Sequence, residues 1–194
     1  MKVFWITPLL LLASTVAKAQ DIPLLAPLRG DAASLVDTLK FIEEKLPGTV
    51  NYMVYLHDNI TGTDQPPHTT SSTLTQVSAD AGRCQISFHA RFEITINGVQ
   101  VIKAPESDGE IFLKQVQEIS LAQKETMEQR AHARAGHPQL SPKIDPPITL
   151  VVVRSAPPNL SKTFSFYDES LAERVSKALQ HAVSLCGGGK PETF

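Results

Sequence analysis

Cys84 and Cys186 are the chain's two cysteines, and His132, His137 and Asp145 are the residues whose types suit a metal. A thiol pair can form a disulfide, share a metal or supply a nucleophile, and an even pair in an exported chain favours the disulfide. Closing a ring of about 100 residues would stabilise the fold by roughly 4 to 5 kcal/mol in the chain-entropy model. Histidine with carboxylate suits zinc or iron, so His132, His137 and Asp145 define a metal-dependent hydrolase as the alternative reading. Their spacing argues against it. His132-x4-His137 misses the i, i+4 step that puts two ligands on one helix face, and Gly136 interrupts any helix there. There is no Gly-x-Ser-x-Gly elbow, and Gly187-Gly188-Gly189 follows a helix pattern where a phosphate cradle would precede one. No catalytic residue is assigned, and no cofactor is implied.

The compartment is read from the N-terminus. Lys2, the apolar run Val3 to Val16 and Ala17-Lys18-Ala19 have the form of a cleavable secretory leader over residues 1–19. The apolar run falls short of the roughly 20 residues that span a bilayer, so a secreted or periplasmic chain with no integral membrane segment after cleavage is expected. The net charge of −2 becomes more acidic once Lys2 and Lys18 leave, which disfavours a nucleic-acid partner. Residues 20–30 read as an irregular lead-in, 31–189 as a single α+β domain, and 190–194 as a disordered tail.

The elements follow from periodicity. Leu35, Leu39, Ile42 and Leu46 recur at helical spacing before Pro47-Gly48, predicting a helix over Asp31 to Leu46. Alternation predicts strands at Thr49 to Asn59, Thr73 to Ala79 and Cys84 to Ile96, with Asn59 to Ser72 a loop. Asn97-Gly98 marks a hairpin returning through Val99 to Lys103. A fifth strand is expected over Gly109 to Ile119, then a surface excursion from Ala122 to Lys143 with a short helix. Ile148 to Val153 and Thr163 to Tyr167 complete seven strands. A C-terminal helix begins with a cap at Asp168 or Ser170, carries the stripe Leu171, Val175, Leu179, Ala182, Val183 and Cys186, and stops at Gly187.

Seven mostly antiparallel strands followed by one amphipathic helix resembles the pleckstrin-homology-like domain, a split β-barrel plugged by its last helix. The segment Phe166-Tyr167-Asp168-Glu169-Ser170-Leu171-Ala172-Glu173-Arg174-Val175, with His181 to Gly189, also resembles the C-terminus of a group of exported bacterial proteins of no assigned function. Phosphoinositide-binding members of the pleckstrin-like class grip the head group with basic residues around the first loop. Here Asn59 to Ser72 holds no Lys or Arg and includes Asp64, so that ligand is not expected. Other members add a peptide strand beside the fifth strand and against the C-terminal helix. The resemblance places such a surface at Phe112, Lys114, Gln115, Arg174, Lys177 and His181. The expectation is therefore an exported, non-enzymatic binding or scaffolding module with an unknown protein or peptide partner.

Overall fold

The computed structural model describes residues 28–104, 106–157 and 161–189. The leader at 1–19, most of the lead-in and the tail at 190–194 lie outside the described residues. Helix α1 (Leu28–Lys45) starts three residues before the expected Asp31. Its stripe of Leu35, Leu39 and Ile42, continued by Leu46, is buried. Helix α3 (Glu169–Leu185) is capped by Asp168, whose carboxylate accepts the N–H groups of Ser170 and Leu171. The two helices pack together: the Arg174 guanidinium lies 5.3 Å from the centre of the Phe41 ring, and Ser34 Oγ and His181 Nε2 stand 2.9 Å apart.

Ten strands, not seven, are present among the described residues. They divide between two sheets. The first contains β1 (Gly48–Asp58), β2 (Thr63–Asp64), β3 (His68–Asp80), β4 (Gln85–Ile96), β5 (Val99–Lys103), β6 (Ser107–Phe112) and β8 (Leu140–Asp145). The second is β10 (Lys162–Phe166), β9 (Thr149–Ser155) and β7 (Val116–Gln123), in that spatial order. Every pairing is antiparallel. The fold is therefore α+β, and the described residues form no closed barrel.

Several departures from the expected elements have local causes. The expected loop Asn59 to Ser72 already contains β2 and the first half of β3. Its β-branched Thr side chains suit a strand, and Thr70 is buried. The single fifth strand is broken by a 3-10 turn at Leu113–Gln115. The three-residue spacing of Leu113 and Val116 turns both inward at this corner, which carries the chain from the first sheet to the second. The excursion holds α2 (Lys124–Arg134), with no buried residues, and then β8. Pro142 sits in β8, which pairs only with β1, so its missing N–H costs no ladder bond on the free side.

Strand β9 divides the core. Val151 and Val153 face a cluster with α1, α3, Ile86, Phe88, Ile111 and Phe164, while Leu150 and Val152 face Tyr52, Val54 and Ile144. The sequence run of β-branched residues has both faces covered, as an interior strand requires. Cys84, at the start of β4, is bonded to Cys186 at the end of α3, with Cα atoms 5.9 Å apart. Among the described residues no helix is long and apolar enough to cross a membrane.

Candidate functional site

Among the described residues, strand β7 is the outermost strand of the second sheet, with β9 on one side and no strand on the other. Its polarity can be read from single bonds. Lys124 N–H donates to Ile148 O toward β9, whereas Ile119 O faces away and accepts Gln180 Nε2 of α3 at 3.4 Å. Alternation then turns the Leu121 N–H and C=O to the open edge as well. The Leu121 side chain is 43% exposed. This edge and α3 form the two walls of a groove of about 320 Å³, lined by Val116, Gln117, Glu118 and Ile119 on one side and Gln180, Val183 and Ser184 on the other.

The end of the groove is closed by the chain itself. Gly189 N–H donates to Val116 O at 2.8 Å, so the segment after α3 already covers the first carbonyl of the edge. A side chain at Gly188 would collide with the Leu113 carbonyl and with Val183 Cγ1, which is why glycine stands there. A main-chain partner thus has the middle and far end of β7 available. Glu118 is paired with Arg154 at 3.1 Å, which leaves the groove with little unpaired charge.

The residues expected from the resemblance do not all meet in this groove. Arg174 and His181 are exposed on the side of α3 next to α1, where they contact Phe41 and Ser34. Lys177 sits on the helix surface, 3.9 Å from Glu173 one turn earlier. Phe112 ends β6 opposite Gln85, and Lys114 and Gln115 form the turn before β7, where Gln115 O accepts Ala156 N–H. The groove has other walls than those six residues: Val116, Gln117, Glu118 and Ile119 on the strand side and Gln180, Val183 and Ser184 on the helix side. Val183 belongs to the core stripe and Gln180 and Ser184 flank it, so no separate sequence pattern marks the helix wall.

The metal candidates are dispersed. His132 is on α2, His137 follows it in a turn whose N–H bonds His132 O, and Asp145 ends β8. The six residues of β8 carry the chain roughly 17 Å along the sheet. Asp145 instead lines a recess of about 560 Å³ on the outer face of β1 and β8 with Tyr55, His57, Asp64 and Lys143. There His57 Nδ1 stands 2.8 Å from Asp64 Oδ1, a pair open to water. Among the described residues no group of three or more His, Cys, Asp or Glu could hold a metal. Comparison with known proteins gives no match to a family model, a curated protein or a solved structure.

Proposed function

We propose that this chain is an exported, non-enzymatic binding module that takes an extended peptide along the free edge of β7, against α3. The observation that carries this reading is the open edge at Ile119 and Leu121 beside a groove whose second wall is helical. Main-chain bonds to the edge would supply affinity, and side chains seated between Ile119 and Val183 would supply selectivity. Gln180 serves as a removable cap on Ile119 O.

The strand order supports the pleckstrin-homology-like reading behind this proposal. Strands β1, β3, β4 and β6 neighbour one another in succession, β7, β9 and β10 form the second sheet, and α3 follows. The Cys84–Cys186 bridge fits an oxidising extracellular or periplasmic setting.

Selection from a displayed random-peptide library tests the proposal. Selected peptides should lose binding to Leu121→Pro, which deletes an edge N–H without breaking the β9 ladder, and should bind Gln180→Ala at least as well as the parent. Peptides indifferent to both substitutions, or a library that yields no binder, would contradict it.

A further inference from the structure

The opposite side of the molecule has a second open edge. Along β1 the odd-numbered residues turn their N–H and C=O toward β8, as Asn59 N–H does in donating to Gln139 O. Strand β8 pairs with β1 only from Asp58 back to Met53. Beyond Asp145 come Pro146 and Pro147, which have no N–H to offer a ladder, and the chain leaves for β9. Among the described residues, Thr49 and Asn51 of β1 are thus without a strand partner on that side.

At Asn51 the vacancy is filled by one side chain. The Tyr167 hydroxyl accepts Asn51 N–H at 2.6 Å and donates to Asn51 O at 2.9 Å. It makes both bonds that the main chain of a neighbouring strand would make. Thr49, one pleat earlier, has no such stand-in among the described residues. Beside it opens a cleft of about 220 Å³ between the start of β1 and β10, the other outer strand of the second sheet. Its apolar lining includes Leu46, Val50, Leu74, Phe164 and Leu171.

We infer that this cleft is a second peptide site, in which a short extended segment adds to β1 at Thr49 and Asn51 in line with β8, displacing the Tyr167 hydroxyl. The occupant is specified by what the edge lacks. It needs alternating N–H and C=O groups, which a peptide main chain has and a lipid or sugar does not, and apolar side chains for the cleft floor. Tyr167 acts as a gate, since its two bonds must break before the strand forms.

The probe is a blocked alternating Thr-Val pentapeptide, with an alternately N-methylated version as control, titrated into the millimolar range against ¹⁵N-labelled full chain. Amide shifts should appear at Thr49 and Asn51, Tyr167→Phe should bind several-fold more tightly because the gate is gone, and the N-methylated peptide should fail. No shift at Thr49 or Asn51 in either protein overturns the inference, as does equal binding of the N-methylated control. Shifts confined to Ile119 and Leu121 would overturn it while leaving the β7 groove standing. Amide exchange of unbound Tyr167→Phe, faster at Asn51 alone, checks that the variant is folded.

Discussion

Cys186, at the C-terminal cap of α3, is bonded to Cys84, which sits at φ 52° at the entrance to β4. The bridge joins the last helix to the first sheet across 102 residues of sequence. It fixes α3 against the corner at Leu113–Gln115, whose Leu113 N–H bonds Cys84 O. The helix that walls the β7 groove is therefore tied covalently to the first sheet, beside the corner from which β7 departs.

Replacing both cysteines by serine should lower stability by up to about 4 to 5 kcal/mol, since a ring of this length strongly limits the unfolded chain. Urea unfolding of the oxidised parent and the double variant measures it. Equal midpoints would mean that the bridge adds nothing to the fold.

Gly109 pairs directly with Phe88, and the Phe88 ring lies where a Gly109 side chain would be. The same ring meets Phe164 edge-on at 5.5 Å, joining the two sheets. Gly109→Val should push the ring from this contact and cost about 1 to 3 kcal/mol by overpacking. Thermal unfolding should show the loss, and near-ultraviolet circular dichroism should report the disturbed aromatic pair.

The lower part of the first sheet should respond to pH through His89. Hydrogen bonds to Asp108 and then Glu106, at 2.8 and 3.3 Å, raise its pKa above the ordinary 6.5. The protonated ring favours the folded state, so this contribution is fully present below 6.5 and fades as pH rises through the raised folded-state value. Arg91, also near Glu106, stays charged throughout. The ratio of stabilities at about pH 5.5 and about pH 8.5 should fall in His89→Gln, and an unchanged ratio would remove His89 from the account.

Asp168 acts in the opposite direction. Bonds from Leu171 and Ser170 hold its carboxyl below the ordinary 3.8. The cap is therefore intact above 3.8 and is lost as pH falls through the lowered value. Asp168→Ala should lower the melting temperature at neutral pH and reduce its acid dependence, whereas Asp168→Ser should recover much of the neutral-pH loss.

Much of this architecture was legible where one residue pattern had one meaning. Asn97-Gly98 takes positive φ at both positions and joins β4 to β5. The Ile148 to Val153 run is an interior strand, and the Asp168 cap and apolar stripe delimit α3. Strand β8 was hidden by Pro142 and by polar Ser141 and Lys143, because an edge strand needs only one paired side. The early part of β3 is hidden by its Ser residues and the Pro66-Pro67 pair before it, and the corner at Leu113 by one helical i, i+3 step inside a strand pattern. Of the site, strand order points to the region of β7, but the residues Phe112, Lys114 and Gln115 fall in β6 and the turn before β7. The helix wall could not be read, because it depends on which side of α3 docks beside α1 and which beside β7, a matter of tertiary packing.

The central claim is that peptide main chain adds to the β7 edge, and amide hydrogen exchange with and without a library-selected peptide tests it most directly. Leu121 N–H, turned away from β9 in the unbound chain, should exchange quickly alone and slowly in the complex, together with Ile119 as Gln180 is displaced. A bound peptide that leaves Leu121 and Ile119 exchange unchanged would contradict the account.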